Sequence, residues 1–557
     1  MESKFSIGID FGTLSARGVL VDIETGEELT QSIFNYGDAV IDHSLPETDI
    51  NLPMDYALQN PKDYQDSLLA ILSELWRKAK IKPQQVIGVG TDFTACTMIP
   101  LDKNLIPLCF NPNYRSNIHS WAKLWKHHGA QEEANLINQV ATSQNEKFIS
   151  RYGGSSSSEW LFAKILEVLN KAPEIYEATY QFMEAADWVV YLLTGEVKKN
   201  SVSAGFKAFW SADEGYPSPG FFARLHPQMK NVIAEKISEE VYPIGGRAGS
   251  LTKEMARATG LNEGIGVAFG NIDAHVSFPA VGAAEEGTML MIMGTSLCHI
   301  FIDSKEILLK GISGVVKHGV LPGYYGYEAG QAAVGDIYDW FINKVILDKN
   351  KEETDNLDTD VFDTMNKKIA NIPPGASGLL ALDWWNGNRS PLVDADLSGL
   401  ILGMSLTTTP AEIYKALIEA TAFGSRIIIE SCEEQGLHIN HIFACGGLAA
   451  KSTEVMQIFA DILGKEIKIS GISQTSAFGS AMFGAVAAGK KNGGYDDIFQ
   501  AIRKMPKQST KTFLPNPKYS QTYNQLYEEY KTLFNYFGLG DNDVMKVLKR
   551  IKKQIHV

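Results

Sequence analysis

A repeated pattern of hydrophobic and polar residues predicts two β-hairpins far apart in the chain. In the first, apolar residues alternate with other residues from Phe5 to Phe11, and a second apolar run follows at residues 18–21. In the second, the segment TMLMIMGTSLCHIFID at residues 288–303 has the same order of apolar run, short polar turn and apolar run. Two matching hairpins in the two halves of the chain indicate an internal duplication.

The turn of the first hairpin carries groups suited to a bound phosphate. Gly12 lets backbone N–H groups approach a bulky anion, and the hydroxyl groups of Thr13 and Ser15 can add hydrogen bonds. Asp10 precedes this turn. A carboxylate beside a phosphate needs a cation between the two groups, and Mg²⁺ fits that need. Taken alone, these residues fit an ordinary hairpin with a polar turn equally well.

The second turn, Gly294-Thr295-Ser296, matches the first except that it has no acid beside it. Ile292 and Met293 occupy the positions before this turn. Two phosphate-binding turns that face each other, with one metal-binding carboxylate between them, predict a nucleotide clamp.

Helical patterns separate these strands. Apolar residues in the segment Pro61–Lys80 recur at helical spacing on one face. Farther along, Thr409 and Glu412 form a capping-box sequence with Pro410 between them, and this motif predicts the start of a long helix that runs to Gly436. Strands that alternate with helices are typical of an α/β fold.

The chain resembles the FGGY carbohydrate kinases, which belong to the superfamily of actin, hexokinase and the heat-shock chaperones. The segments that carry the resemblance are IGIDFGTLSARG, GVGTDFTACTMIPLD, GNIDAH, IMGTSLCH, GYEAGQAAVGD, NGNRSPLVDADLSGLILG and FACGGLAAKS. Together they are specific, and they extend over essentially all 557 residues. The resemblance implies an α/β fold with two ribonuclease-H-like (actin-like ATPase) domains and a cleft between them.

The chain is long enough for two large domains. Its 557 residues exceed the length of roughly 250–300 residues at which a single core stops growing. We expect an N-terminal domain at residues 1–280 that binds sugar and carries the catalytic base. A C-terminal domain at residues 281–557 would bind ATP. Each domain would be built on a mixed five-stranded sheet.

Asp273 is the candidate catalytic base. It follows a strand-like run that ends at Gly270, and phosphoryl transfer to an alcohol needs a base close to the attacking hydroxyl. The resemblance, which extends to the family members that act on L-ribulose, implies this role for Asp273, and a carboxylate of ordinary pKa would serve. The alternative is an aspartate that caps a helix. His275 is interpreted as structural.

Three further residues are candidates for sugar binding, and this assignment depends mainly on the resemblance. Asp92 follows the strand at residues 86–91, so it would lie beyond the carboxyl end of that strand, although it could also be a turn or cap residue. Lys207 lies among small and aromatic residues and could equally be exposed. Glu328 is placed in a strand-to-helix turn, where capping of the following helix is the alternative.

The nucleotide would be held from both sides of the cleft. Gly294 and Thr295, together with the paired glycines Gly446 and Gly447 after the strand IFAC, would hold ATP on the C-terminal side, and Lys451 would border the adenosine. On the other side, Gly12, Thr13 and Arg17 would meet the γ-phosphate, with Asp10 on Mg²⁺. Arg17 could instead be an arginine on a strand surface.

Composition restricts the partners and the compartment. The formal net charge of −14 argues against nonspecific binding to nucleic acid or to an anionic membrane. The five cysteines are an odd number without C-x-x-C spacing, which favours a reducing cytoplasm over a disulfide framework or a zinc site. We expect no signal peptide and no membrane span, since no apolar run approaches about 20 residues. A homodimer would be compatible with the resemblance.

Several rival interpretations remain at this point. The chain lacks a G-x-x-x-x-G-K-[ST] P-loop, a G-x-S-x-G elbow and an H-E-x-x-H motif, which removes the common rival nucleotide and hydrolase sites. The expected reaction is phosphorylation of an open-chain pentulose such as L-ribulose at its terminal 5-hydroxyl by ATP. Other family substrates (D-ribulose, xylulose or glycerol), a non-kinase actin-like ATPase and an inactive sensor are the alternatives.

Overall fold

Two mixed β-sheets organise the protein, and a computed structural model describes them within residues 2–347, 359–505 and 511–555. In chain order the strands are β1 (Phe5–Phe11), β2 (Ser15–Asp22), β3 (Glu28–Asn35), β4 (Leu58–Gln59), β5 (Val86–Phe93), β6 (Met98–Leu101), β7 (Ala122–Lys123), β8 (Gln181–Glu184), β9 (Lys199–Asn200), β10 (Val241–Tyr242), β11 (Arg247–Ser250), β12 (Gly266–Ala268), β13 (Asn271–Ile272), β14 (Thr288–Met293), β15 (Leu297–Asp303), β16 (Gly314–Lys317), β17 (Tyr325–Gln331), β18 (Leu380–Leu382), β19 (Leu400–Leu402), β20 (His441–Cys445), β21 (Ile467–Ile469) and β22 (Lys511–Phe513).

Helices cover both sheets. In chain order they are α1 (Pro61–Lys78), α2 (Gln131–Ser143), α3 (Leu161–Lys171), α4 (Pro173–Ala178), α5 (Ala185–Thr194), α6 (Ser201–Lys207), α7 (Pro219–Leu225), α8 (Lys253–Thr259), α9 (Asp273–Ala280), α10 (Gly335–Trp340), α11 (Thr359–Ile369), α12 (Pro410–Glu434), α13 (Gly447–Lys451), α14 (Thr453–Leu463), α15 (Thr475–Ala488), α16 (Ile498–Lys504), α17 (Pro517–Gly538) and α18 (Val544–Ile555). The predicted capping box is present at the start of α12, where Thr409 and Glu412 bond reciprocally.

The two sheets repeat one topology. In the N-terminal sheet the order β12-β5-β1-β2-β3 has β1 antiparallel to β2 and parallel to β5. In the C-terminal sheet the order β21-β20-β14-β15-β17 has β14 antiparallel to β15 and parallel to β20. The internal duplication inferred from the two hairpins is therefore confirmed at the level of strand pairing.

Each sheet has seven strands rather than the five we expected. The five central strands follow the duplicated plan, and β11 and β13 add to the first sheet while β16 and β22 add to the second. The additional strands are short segments of two to four residues, too brief to give an alternating pattern in the sequence.

Glycines in β1 and β5 bring α15 into close contact with the N-terminal sheet, although α15 lies in the C-terminal half of the sequence. A Cβ atom at Gly8 would lie 1.7 Å from the carbonyl oxygen of Ala477, and one at Gly90 would lie 1.9 Å from that of Ser480. Helix α1 packs on the opposite face through residues such as Ile71. The division of the chain into two domains at residue 280 stays a prediction. Helix α15 follows that boundary in the sequence but contacts the sheet that precedes it.

The polar segment between β3 and α1 is largely irregular, and it ends at β4. This strand joins β6, β7 and β8 in a small four-stranded sheet beside the N-terminal sheet. Helices α2, α3 and α7 pack together over a separate apolar cluster that includes Phe162 and Phe222. Within the described ranges, no helix is both long and apolar enough to cross a bilayer, and all five cysteines are free thiols.

Candidate active site

Asp10 lies near the end of β1 and is flanked by charged residues on both neighbouring strands. Its Cα pairs with that of Arg17 on β2 and with that of Asp92 on β5. Burial raises the pKa of the Asp10 carboxyl, and the positive charge of Arg17 opposes this rise. The side chain of Arg17 is exposed. The pairing of β1 with β2 therefore brings the guanidinium group of Arg17 and the predicted metal-binding acid Asp10 together beside the first turn.

The first turn is fixed by side chains from outside the hairpin. The N–H of Gly12 donates to the carbonyl oxygen of Ser15 at 3.0 Å. Gln59 Nε2 donates to the carbonyl oxygen of Thr13 at 2.8 Å, and Trp125 Nε1 donates to Thr13 Oγ1 at 3.1 Å. Sequence reasoning missed Gln59 and Trp125, because nothing in their local sequence links them to a turn so distant in the chain.

Asp92 lies within β5 and not beyond its carboxyl end, so this prediction was wrong. The strand continues to Phe93 because Asp92 itself pairs with Asp10. Ser480 Oγ donates to Asp92 Oδ2 at 2.6 Å, and the residue is fully buried. Burial, followed by the negative charge of Asp10, raises the pKa of Asp92 well above its usual range.

Asp273 is the first residue of α9, and its carboxylate is close to the other acids of the cleft. Its Oδ1 accepts a hydrogen bond from the N–H of Ala274 at 2.7 Å. Burial raises the pKa of Asp273 to about 7, and the negative charge of Asp10 adds to that rise. An ordinary pKa would have been sufficient for the role proposed from the sequence, but the raised value leaves the carboxyl half-protonated close to neutral pH.

Lys207 and Glu328 form a buried ion pair between the two halves of the chain. Lys207 Nζ lies 2.9 Å from each carboxylate oxygen of Glu328. Burial alone would raise the pKa of Glu328, but the positive charge of Lys207 and its hydrogen bonds hold that pKa below its usual value. Glu328 lies inside β17 rather than in a strand-to-helix turn, so both its predicted position and the capping alternative were wrong. The exposed alternative for Lys207 was also wrong.

His275 is part of this cluster, although its sequence context suggested only a structural role. It is fully buried, and its Nε2 lies 3.5 Å from Glu328 Oε2. Its ring packs against Phe206 with a centroid separation of 4.2 Å. Neither ring nitrogen forms a hydrogen bond to the described residues. Burial lowers the pKa of His275 to about 4, so the ring is neutral at pH 7.

The second turn is exposed to solvent, and its backbone is hydrogen-bonded to the start of α10. Gly294 and Thr295 are exposed. Their carbonyl oxygens accept hydrogen bonds from three consecutive N–H groups, those of Val334, Gly335 and Asp336, at 2.8–3.1 Å. This arrangement joins the turn to the start of α10 and leaves the upper surface of the turn open to a ligand.

The paired glycines lie beside the second turn because β20 is parallel to β14. Gly446 has φ of +96°, and a Cβ atom there would lie 2.5 Å from the carbonyl oxygen of Met293, so only glycine fits. Gly447 begins α13 and has open space around it. Lys451 is exposed at the end of α13. The predicted strand–glycine–helix arrangement is confirmed: the short helix α13 begins at Gly447, and α14 follows it from Thr453.

Comparison with known proteins gives matches over nearly the whole chain. The N-terminal domain of the FGGY family of carbohydrate kinases matches residues 5–280, and the C-terminal domain of that family matches residues 289–488. A protein named ribulokinase from Bacillus licheniformis is 50% identical over 539 residues, which cover 97% of this chain and 98% of the relative. One from Staphylococcus aureus strain Newman is 38% identical and covers 99% of both chains.

Solved structures share the fold. The xylulose kinase from Rhodospirillum rubrum superposes with a TM-score of 0.77 at 22% identity, over 95% of this chain and 98% of that one. The glycerol kinase from Plasmodium falciparum, solved with ADP, superposes with a TM-score of 0.74 at 16% identity over the same shares of the two chains. These likenesses confirm the expected actin-like α/β architecture. Because both halves of the chain match its two domains, this protein belongs to the FGGY family of carbohydrate kinases.

Proposed function

We propose that this kinase transfers the γ-phosphoryl group of ATP to the terminal 5-hydroxyl of ribulose, with L-ribulose as the principal substrate. The products would be ribulose 5-phosphate and ADP. The observation that carries the proposal is the position of Asp273, whose pKa is about 7, among the acids and the buried Lys207–Glu328 pair of one cleft. The substrate class is supported by relatives named ribulokinase at 48–50% identity over 97–100% of this chain.

Asp273 would accept the proton of the attacking hydroxyl. A general base works best when its pKa is close to the working pH, because it is then deprotonated and still basic. Burial and the nearby charge of Asp10 give Asp273 this property. Phosphoryl transfer otherwise depends on positioning and on neutralising charge, so one well-placed carboxylate is sufficient.

Lys207 and Glu328 would orient the sugar. Lysine supplies only donors and a carboxylate only acceptors, so the pair can bind a carbonyl oxygen and a hydroxyl group side by side. The positive charge of Lys207 keeps the buried Glu328 carboxylate ionised. Asp92 is better placed beside Asp10 than on the sugar, since it is fully buried and bonded to Ser480.

The two turns would hold the nucleotide from opposite sides. Gly12, Thr13 and Arg17 would meet the γ-phosphate, and Gly294 and Thr295 would meet the rest of the phosphate chain. The Gly446–Gly447 turn would accommodate the adenosine, with Lys451 at its border. Support comes from the open upper surface of each turn and from the space around Gly447.

Mg²⁺ would be held at Asp10, and the residues present fit a cation. The neighbouring carboxyl group of Asp92 has an Oδ1 atom that is buried and accepts no hydrogen bond from the described residues. Two adjacent acids with raised pKa values are stabilised when a divalent cation lies beside them. The ion would supply charge neutralisation for the transferred phosphoryl group, mostly through bound water. No group of three or more candidate ligands occurs in the described part of the chain, which agrees with a site of few carboxylates.

Coupled ADP release tests this function. Purified protein with Mg-ATP would be assayed against L-ribulose, D-ribulose, D-xylulose, glycerol and ribitol, beside the variant Asp273→Asn. Turnover that is strongest with the ribuloses and is lost in the variant supports both the substrate and the base. Stronger turnover with glycerol or xylulose would replace the substrate, and turnover retained by the variant would contradict the role of Asp273. The kinase would act in the cytoplasm, and a homodimer stays a prediction of the family resemblance.

A further inference from the structure

Thr13 has one side-chain hydroxyl in a turn that would face the transferred phosphate. The hydrogen bond from Trp125 Nε1, 3.1 Å long, is the one contact of Thr13 Oγ1 within the described residues. An indole N–H is a donor only, so Oγ1 accepts there and its own proton is left to point elsewhere. That proton points away from the indole ring, and no hydrogen-bond acceptor for it occurs among the described residues.

The backbone of Thr13 is fixed independently of its hydroxyl group. Gln59 Nε2 donates to the Thr13 carbonyl oxygen at 2.8 Å, and Tyr64 OH donates to Gln59 Oε1 at 2.7 Å. Loss of the Trp125 contact would therefore leave the turn in place and free only the rotation of the hydroxyl group.

The backbone beside Trp125 is anchored by two hydrogen bonds. The residue before it, Leu124, donates its N–H to the carbonyl oxygen of Ala57 at 3.0 Å. The carbonyl oxygen of Leu124 accepts a hydrogen bond from Lys164 Nζ at 2.8 Å, and that lysine is fully buried. The buried Lys164 side chain, bonded to backbone carbonyl oxygens, fixes the chain next to Trp125, and the indole N–H points at Thr13 Oγ1.

We propose that Trp125 is a positioning residue that directs the hydroxyl proton of Thr13 toward the phosphoryl group being transferred. A donor already aimed at developing negative charge costs no reorganisation during the reaction. A free hydroxyl group would rotate among staggered positions and would donate for only part of the time. This inference rests on the proposed kinase reaction, and it adds a residue from outside the hairpin to the phosphate site.

The variant Trp125→Phe keeps an aromatic ring and removes the N–H group. We expect kcat to fall about tenfold, in line with the loss of one oriented donor, and KM for ribulose to stay within about twofold. Trp188→Phe is the matched control, because the Trp188 indole also donates one hydrogen bond, to the carbonyl oxygen of Leu105 at 3.1 Å, and donates none to either phosphate-binding turn among the described residues. Trp188→Phe should keep the kcat of the unmodified enzyme.

A double-mutant cycle separates positioning from general damage. In a Thr13→Val background there is no hydroxyl group to direct, so Trp125→Phe should cause no further loss of kcat. An equal loss in both backgrounds, or a kcat of Trp125→Phe within twofold of the unmodified enzyme, would overturn the inference. If Trp125→Phe does not fold, as judged by its melting transition, Trp125→Met carries the same expectations. Failure of the unmodified enzyme to phosphorylate any sugar would instead refute the proposed function.

Discussion

Lys207 Nζ lies 2.9 Å from each carboxylate oxygen of Glu328, and this ion pair joins the end of α6 to the middle of β17. The two side chains are 7% and 12% exposed, so solvent screens their interaction little. His275 Nε2 approaches the same carboxylate at 3.5 Å. Because Lys207 and Glu328 come from opposite halves of the chain, their contact fixes the relative position of the two halves at the proposed sugar site.

The substitution Lys207→Met should impair both stability and sugar use. Removal of one partner leaves the Glu328 carboxylate buried and unpaired, which costs about 3–5 kcal/mol in the free energy of unfolding. Loss of a charge-assisted hydrogen bond to the sugar should reduce kcat/KM for ribulose by about ten- to a hundredfold. Urea unfolding and steady-state kinetics measure the two effects.

The exposed pair Lys317–Asp213 provides the control for that substitution. Its N–O distance is 3.0 Å, but its side chains are 36% and 59% exposed. Lys317→Met should leave both the unfolding free energy and kcat/KM nearly unchanged, because exposed pairs are screened by water and salt. Equal losses of unfolding free energy and kcat/KM in Lys207→Met and Lys317→Met would show that burial does not set the contribution of an ion pair.

Activity should have an acid limb set by Asp273. Its pKa of about 7 means that kcat/KM for ribulose should fall about tenfold per pH unit below neutrality, as the base becomes protonated. A pH–rate profile from pH 5 to pH 9 measures this dependence. A limb centred near pH 4 would mean that the carboxyl titrates as it does in water.

Titration of the Asp273 carboxyl should also make the stability of the fold depend on pH. The folded carboxyl binds its proton more tightly than an unfolded one with a pKa of 3.8, so its contribution favours folding at low pH. That contribution is lost as the pH rises through about 7. The Tm of Asp273→Asn, relative to that of the unmodified protein, should therefore increase between pH 4 and pH 7. A constant difference across this range would argue against the raised pKa.

The substitution Gly446→Ala should damage the nucleotide site. The residue has φ of +96°, and the new methyl group would lie 2.5 Å from the carbonyl oxygen of Met293, next to the second turn. We expect KM for ATP to rise about tenfold or more, since a shift of the turn by a few tenths of an ångström misplaces its N–H groups. Nucleotide titration with purified variants measures the effect.

Gly447→Ala is the matched control, one residue along the chain. A Cβ atom at Gly447 would meet nothing within 4 Å in the described part of the chain. The fold should tolerate it, with an unchanged Tm. Any rise in KM for ATP in this variant would then report direct contact with the nucleotide rather than displacement of the backbone.

The substitution Gly8→Ala should destabilise the protein without touching the cleft. Its methyl group would lie 1.7 Å from the carbonyl oxygen of Ala477, so α15 would have to move away from the sheet. Overpacking of this severity costs about 3 kcal/mol or more. Gly220→Ala in α7 is the control, since its new Cβ atom lies 3.5 Å from the nearest atom and alanine favours helix. Differential scanning calorimetry should show a lower Tm for the first variant only.

The sequence predicted the parts of the site that depend on local pattern. Both hairpins and the glycine turn at Gly446 follow from residues adjacent in the chain. Asp92 was misplaced because its strand is lengthened by pairing with Asp10, a partner 82 positions away in the sequence. Such pairing leaves no mark on the periodicity of the strand itself.

The contacts that fix the site depend on the tertiary fold. Trp125 reaches a turn 112 residues earlier, and His275 meets Glu328 from the other half of the chain. Burial also changes chemistry that a sequence cannot state, since burial, together with the nearby charge of Asp10, raises the pKa of Asp273 to about 7. The sequence therefore predicted the residues whose role depends on their neighbours in the chain. It did not predict the pKa values, which depend on the tertiary fold.

The close contact of α15 with the glycines of β1 and β5 has a consequence for biosynthesis. One face of the first sheet to be synthesised is covered by residues 475–488, which are translated near the end of the chain. While the ribosome is still adding the second half, that face has no permanent cover and offers apolar surface to other nascent chains. A chaperone that binds exposed sheet faces would therefore be needed most before residue 488 has left the exit tunnel.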